Sequence, residues 1–463
     1  MSATQLPSKR THIVLVPGFG GFDALGQIRY YAGLTPLFLD WNARRPSAPQ
    51  AVLHYFDNLP TAAVATRAAR LRDYLARRIA RMEFQPGDEL ALVGHSTGGL
   101  DIRRLLWELA ENPEQRVALD GLRESDPHAV KYARLLEMIQ RVVFLSVPQY
   151  GTNIANWVGR HDSLRRLMIN AIRDSVAEHP KRPGLFRGSL TQLLGSVGDA
   201  DLFRAARDAM EESDADECLE EHACLTQPRC SQENRCAEAQ RRLIGSREAY
   251  SELRLWTQHI AADFGAITDL EHRSGFRQES PAHFDGATRA RELSRWRQYG
   301  IATRSYATVG KCPFDPQELR RGRVLSLIDL RTWPDADASH RTDVAYRWSY
   351  RACAVGPFAT LAGQSTATEL GTMNQRTIES WENDGIVNTA SMLWPDGAAT
   401  RLVKGDHGDI IGHYQKVETG SRSGRRFQAY DLLRSDSGFT DQEFKNVWHD
   451  VFEFCVDRTP PPH

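Results

Sequence analysis

The stretch Val93-Gly94-His95-Ser96-Thr97-Gly98-Gly99 sets a hydroxyl between glycines, after an apolar run (Leu90 to Val93) and before a leucine-rich one (Leu100 to Leu109). G-x-S-x-G at a strand-to-helix junction holds its serine on a tight, strained turn with the hydroxyl presented above a sheet. Gly94 and Gly98 let strand and helix approach there without a Cβ clash. The chemistry this predicts is nucleophilic attack by Ser96. A phosphate loop is the alternative for a glycine-rich turn opening a helix, but no lysine follows Gly98-Gly99 and no G-x-G-x-x-G occurs.

A serine hydroxyl is a weak nucleophile until a histidine takes its proton and a carboxylate orients that histidine. On a strand elbow both are expected downstream, in the order Ser, Asp, His. The C-terminal part supplies Asn383-Asp384-Gly385 and then Gly405-Asp406-His407-Gly408, the second after a short strand-like run, Thr400 to Val403. Asp-Gly is also an ordinary turn signal, and the chain has 15 histidines, so it is the required order that singles out Asp384 and His407. Acyl transfer further needs backbone N–H groups aimed at a developing oxyanion. Pro17-Gly18-Phe19-Gly20-Gly21, after the apolar run His12 to Val16, is placed to offer Phe19 N–H; Thr97 would offer the other.

These residues lie far apart in the chain, so a single scaffold interrupted by an insertion must gather them. Strand-like runs at His12 to Val16, Ala51 to Tyr55, Leu90 to Val93, Val142 to Leu145, Ser305 to Val309 and Thr400 to Val403 alternate with helix-like runs. That alternation predicts an α/β fold with a mostly parallel, doubly wound sheet. The run from Asp57 to Gln85 reads as one helix, burying Val64, Ala68, Leu71, Leu75, Ile79 and Met82. Arg67, Arg70, Arg77, Arg78 and Arg81 are assigned to its solvated face. With a net charge of −1 a nucleic-acid stripe is not expected. A final helix opens with a capping box, Thr440 and Glu443, and is expected to bury Phe444, Val447, Trp448, Val451 and Phe452 beside the sheet.

The set Val16-Pro17-Gly18-Phe19-Gly20-Gly21, Gly94 to Gly99, Val147-Pro148-Gln149-Tyr150-Gly151-Thr152, Glu382-Asn383-Asp384-Gly385-Ile386-Val387-Asn388-Thr389-Ala390-Ser391-Met392 and Asp406-His407-Gly408-Asp409-Ile410-Ile411-Gly412 resembles the bacterial true lipases of the staphylococcal and thermophilic-bacillus type. The Glu382 to Met392 block is the sharpest match. The resemblance covers roughly residues 10 to 155 and 300 to 455. It implies an α/β-hydrolase fold and carboxylic-ester hydrolysis, with Ser96 as nucleophile, Asp384 as acid, His407 as base, and Phe19 and Thr97 as oxyanion donors. Three features depart from the family pattern: Pro17 and Gln149 stand where histidines are usual, and the histidine-bearing zinc insertion before the serine strand is missing. No cofactor is expected to be required for the chemistry.

The expected organisation is a discontinuous catalytic core, residues 1–154 and 300–463, and a helical cap, 155–299. Within the cap Leu164, Leu167, Met168, Ile172 and Val176 form an apolar helical stripe, suited to covering an acyl pocket or to packing in a core. Cys218, Cys224, Cys230 and Cys236 recur every six residues. Two disulfides (218 with 236, 224 with 230), a structural metal on four thiolates, and free thiols are the choices for this quartet. The remaining three cysteines, Cys312, Cys353 and Cys455, read as buried fillers. The first ten residues carry no apolar signal segment, and nowhere are there 18 consecutive apolar residues. A cytoplasmic address with no transmembrane segment is therefore the expectation, signal-independent export standing beside it. Such an address disfavours disulfides.

Together these readings predict a serine ester hydrolase acting on acyl-ester or lipid substrates, with oligomeric state left open. A lipid acyltransferase using the same residues is one alternative. An inactive binding protein on a hydrolase scaffold is the other.

Overall fold

Thr11–Val16 (β1), Glu89–His95 (β5) and Ile139–Leu145 (β6) are aliphatic runs buried along nearly their whole length, as strands covered on both faces must be. The computed structural model describes residues 9–21, 24–25, 28–45, 50–121, 132–160, 259, 263, 265–271, 286–317, 346–347, 349–354, 366–395, 399–414, 431, 433 and 435–459. The predicted helical stripe from Leu164 to Val176 and the cysteine quartet lie outside the described residues. Ala24–Leu25 (β2) and Ile28–Arg29 (β3) pair with each other. All other described strands form one sheet: Ala51–Tyr55 (β4), β1, β5, β6, Ala302–Val309 (β7), Thr400–Lys404 (β10), Thr366–Glu369 (β8) and Gln375–Thr377 (β9), in the order β4-β1-β5-β6-β7-β10-β8-β9.

Every neighbouring pair in that sheet is parallel except β8 with β9. This is the α/β-hydrolase architecture, a mostly parallel sheet flanked by helices. Parallel strands put all their carboxyl ends on one edge, so the loops after β1, β5, β6, β7 and β10 open along the same rim. The strands anticipated from sequence all belong to this sheet. The short strands β8 and β9, the last two of the sheet, did not stand out, because Thr366–Glu369 and Gln375–Thr377 are polar and partly exposed.

The period-two alternation of β1 sends Val14 and Val16 to one face and Ile13 and Leu15 to the other. On the first face pack Val64–Ala80 (α2) and Thr97–Leu106 (α3), the latter running into a π-helical turn, Trp107–Glu111. Pro113–Gly121 (α4) and Tyr132–Met138 (α5) follow, then Asn153–Arg160 (α6), Gly265–Asp269 (α7) and Gly286–Gln298 (α8). Trp296 of α8 is fully buried in this layer against Phe144 and Trp394. The second face is covered by Leu34–Ala43 (α1) and Asp441–Val456 (α9). The capping box of α9 forms as expected: Thr440 Oγ1 accepts from Glu443 N–H while the Glu443 carboxylate accepts from Thr440 N–H. Its five predicted core residues are buried, and Trp448 Nε1 donates to Ile410 O in the loop after β10.

Helix α2 spans Val64–Ala80 rather than the whole run from Asp57 to Gln85, and two of its residues also depart from their sequence reading. Met82 lies beyond the helix end, in a left-handed conformation, and is 53% exposed rather than buried. Arg67, assigned to the solvated face, is fully buried, whereas Arg70, Arg77 and Arg81 are exposed.

Candidate active site

At the carboxyl end of β5 the chain turns into α3 through one residue. Ser96 has φ 53° and ψ −131°, a conformation that costs a non-glycine residue about 1–3 kcal/mol and persists where the surroundings over-determine it. Here Ser96 N–H donates to Leu145 O on β6, and Ser96 O accepts from Gly99 N–H. Glycine is required on both sides. A Cβ on Gly94 would stand 2.6 Å from Gly99 Cα, and one on Gly98 would strike Val16 O and lie 2.6 Å from Pro17 O. Gly98 thereby brings the start of α3 against the loop that follows β1. A Cβ on Gly18, in that loop, would come 2.5 Å from Ser96 Cβ.

The loop after β1 closes as a tight turn, with Gly21 N–H donating to Gly18 O at 3.0 Å. Gly20, at φ 75°, meets the positive-φ requirement of the third turn position. Phe19 thus lies in a turn packed against Ser96, and Thr97 is the first residue of α3, where helix amides have no intrahelical acceptor.

Asp384 is fully buried in a turn alongside the end of β7. Gly310 N–H donates to Asn383 O, and Asp384 N–H donates to Val387 O. The carboxylate accepts four hydrogen bonds. Oδ1 takes Ile386 N–H (3.0 Å) and Val387 N–H (2.8 Å). Oδ2 takes Thr308 Oγ1–H (2.6 Å) and His407 Nδ1–H (2.7 Å). Because Thr308 spends its single hydroxyl hydrogen on Asp384, the 2.8 Å contact between Ser146 and Thr308 must be a donation from Ser146 Oγ.

His407 follows β10 and is held from two directions, since its own N–H donates to Asp384 O at 3.0 Å. With Nδ1 committed to Asp384, Nε2 is the ring nitrogen left for proton exchange. The His407 ring packs 4.6 Å from that of His95, the residue before Ser96. Ser96, Asp384 and His407 therefore share the rim, and the Asp384–His407 hydrogen bond is formed. Among the described residues no hydrogen bond joins Ser96 to His407.

Of the other carboxylates near this histidine, neither Asp406 nor Asp409 reaches its ring. Asp406 accepts from Gly408 N–H, Asp409 N–H and Ser435 Oγ. Asp409 accepts from Asp406 N–H and Ser437 Oγ. Burial pushes Asp406 up to about 7, and burial with the neighbouring Asp406 charge raises Asp409 as well. With Asp431 they form the one group of described residues whose carboxylates could jointly hold a cation. The hydrogen bonds of Asp406 and Asp409 go to amides of the loop itself, bracing the backbone on either side of His407, and to Ser435 and Ser437 in the segment before α9.

Several residues of the site carried no sequence signal. Thr308 and Ser146 are ordinary strand-end hydroxyls, and Tyr30 sits outside every motif. Arg67 was different. It lies three residues after Val64 and four before Leu71, so helical spacing put it on the buried stripe while its charge argued for solvent.

No protein-family model matches the chain, and no curated protein matches it. Among solved structures it is similar to the lipase of Staphylococcus hyicus, at 13% identity and a TM-score of 0.45, over 98% of this chain and 97% of that one. A Bacillus licheniformis lipase in its mature form is similar at 13% identity and a TM-score of 0.36, over 88% of each chain. Lipase 1 of Pelosinus fermentans is similar at 14% identity and a TM-score of 0.34, over 88% of this chain and 94% of that one.

Proposed function

We propose that the chain is a serine carboxylic-ester hydrolase acting on lipid acyl esters through an acyl-enzyme. The observation that carries this reading is the left-handed Ser96 at the β5–α3 junction, on the same rim as the 2.7 Å Asp384–His407 pair. In the proposed reaction Ser96 Oγ attacks the ester carbonyl as His407 Nε2 accepts the hydroxyl proton. Asp384 keeps the proton on Nδ1 and stabilises the imidazolium. The amides of Phe19 and Thr97 donate to the tetrahedral oxyanion. Collapse expels the alcohol, which takes the proton from His407, and leaves the acyl group on Ser96. Water, deprotonated by His407, then attacks the acyl-enzyme, and the carboxylic acid departs as Ser96 regains its hydrogen.

No metal or cofactor enters these steps. The acyl acceptor separates this reading from a lipid acyltransferase, in which an alcohol takes the place of water. Turnover of p-nitrophenyl esters of graded chain length, with and without a competing alcohol, tests it. Hydrolysis that yields free acid is expected; absence of turnover on every ester, or acyl transfer to the alcohol in place of hydrolysis, contradicts it.

A further inference from the structure

The Gly18 peptide groups are gripped from two sides. Gly18 N–H donates to Tyr30 Oη at 2.8 Å. Gly18 O accepts from Arg67 Nη2 at 3.1 Å, and the same nitrogen donates to Pro17 O at 2.7 Å. The Gly18–Phe19 peptide is trans, so its C=O and N–H point in opposite directions. Turning Gly18 O onto the guanidinium therefore turns Phe19 N–H to the opposite side of the same plane.

Arg67 is fully buried, and each of its guanidinium nitrogens donates a hydrogen bond. Its Nε donates to both carboxylate oxygens of Asp101 (3.1 and 3.0 Å), and its Nη1 to Leu59 O and Pro60 O. Asn58 Nδ2 adds a further donor to Asp101. Asp101 belongs to α3, the helix that begins with Thr97. One planar fork thus spans the turn bearing the Phe19 amide and the helix bearing the Thr97 amide, a geometry the flexible ammonium of lysine does not reproduce.

A second connection runs to the histidine loop. His95 Nε2 lies 3.0 Å from His407 O, which can only accept, so Nε2 carries the hydrogen. His95 Nδ1 is then an acceptor, and Tyr30 Oη, 2.7 Å away, donates to it. The direction of the chain follows: Gly18 N–H to Tyr30, Tyr30 O–H to His95, His95 Nε2–H to His407 O. Burial lowers His95 well below the ordinary imidazole range, in keeping with a neutral ring.

We propose that Arg67 and Tyr30 are positioning residues that aim the Phe19 amide at the reacting carbonyl oxygen, while His95 ties that turn to the loop carrying His407. The assignment rests on the ester-hydrolase reading above. Neither side chain touches the reacting atoms in that scheme; each acts through the peptide groups it holds.

The test compares wild type, Ser96→Ala, Tyr30→Phe, Arg67→Lys and Leu75→Ala on a short soluble p-nitrophenyl ester, together with inhibition by an aryl boronic acid, which forms a tetrahedral anion on serine. Leu75→Ala controls for stability, since it opens a cavity in the same helix as Arg67 without touching the turn. Tyr30→Phe and Arg67→Lys are expected to lose about 10- to 100-fold in kcat with KM little changed, less than the 10²- to 10³-fold of outright donor removal. Boronic acid affinity should weaken in step with kcat/KM. A purely structural Arg67 would instead be rescued by lysine, which keeps the charge opposite Asp101. Wild-type kcat in Tyr30→Phe, which removes one hydroxyl and so tests the idea even if Arg67→Lys does not fold, overturns the proposal. So does a loss of kcat in Leu75→Ala equal to that in Arg67→Lys. Equal turnover by wild type and Ser96→Ala is a different failure, recognisable before the other variants are compared: it removes the ester-hydrolase reading and this proposal with it.

Discussion

Asp384 can be distinguished from every other carboxylate around His407 by what it accepts. Its four donors fill both oxygens, and one of them is His407 Nδ1. Asp384→Asn is expected to lower kcat by about 10⁴-fold, because an amide in this place favours the wrong imidazole tautomer. Asp406→Asn, which disturbs loop-bracing bonds instead, should cost far less, and equal losses in the two variants would contradict the assignment. Steady-state kinetics on a soluble ester decides between them. Sequence order singled out Ser96, Asp384 and His407 as candidates, since a nucleophile elbow dictates which partners must follow it, and the fold brings their loops to one rim with Asp384 hydrogen-bonded to His407. It could not reveal Thr308, Tyr30 or the inward turn of Arg67, because those contacts are made between segments whose approach only the folded sheet defines. In the case of Arg67 the spacing was informative and the residue type misled.

At the scale of elements, a largely buried polar cluster that the sequence did not announce joins the first half of β1 to β4 and to the residue before β5. His12 on β1 faces His54 on β4 at 2.9 Å through Nδ1 and Nε2, and its Nε2 lies 2.9 Å from Asp88 Oδ2. Since His12 Nε2–H donates to the carboxylate, its Nδ1 must accept from His54 Nε2–H. Burial lowers His12, and burial together with the nearby His12, Arg78 and Arg10 charges pushes His54 down to about 3. Burial pushes Asp88 the other way, but hydrogen bonds from His12, Gln85 N–H and Arg10 outweigh it and leave the carboxyl below its ordinary range. The unfolded chain takes up protons on these histidines near pH 6.5 and the folded chain does so only at lower pH. Stability is therefore present above pH 6.5 and is lost as pH falls towards 3, with Asp88 adding to the loss below about pH 4. Each histidine that is neutral folded and charged unfolded contributes up to about 1.4 kcal/mol per pH unit. Chemical denaturation from pH 7 to 4 should show this slope, and His54→Asn should flatten it. An unchanged slope in that variant would exclude the cluster as its source. The six principal strands were legible as apolar runs, while β8 and β9, short and polar at the end of the sheet, had no such signature.

At the scale of the molecule, distant parts of the chain are locked by buried charge. Arg103 of α3 donates through Nε and Nη2 to Glu292 of α8 at 2.8 and 2.7 Å, with Nη1 on Gln149 Oε1. Glu111 lies beside this pair and accepts from Trp296 Nε1, and burial with the Glu292 charge pushes it up to about 7. Glu292→Gln is expected to destabilise the fold by about 3–5 kcal/mol, as removing one partner of a buried pair does. A double replacement of Arg103 and Glu292 by methionine should recover much of that loss, and denaturant midpoints with unchanged slopes would measure both. Full stability in the single variant would show that the pair is not needed. Reading the chain as one core interrupted by an insertion came from motif order alone. The packing of α8 against α3 had no counterpart in sequence, because a polar helix reads the same whether it faces solvent or a buried arginine. The proposed chemistry turns on a single atom, Ser96 Oγ. Treatment with a fluorophosphonate probe followed by peptide mass spectrometry should find one adduct, on Ser96 in the wild type, with none in Ser96→Ala and a much slower reaction in His407→Ala. Labelling of another residue, or equal labelling of wild type and Ser96→Ala, would contradict it.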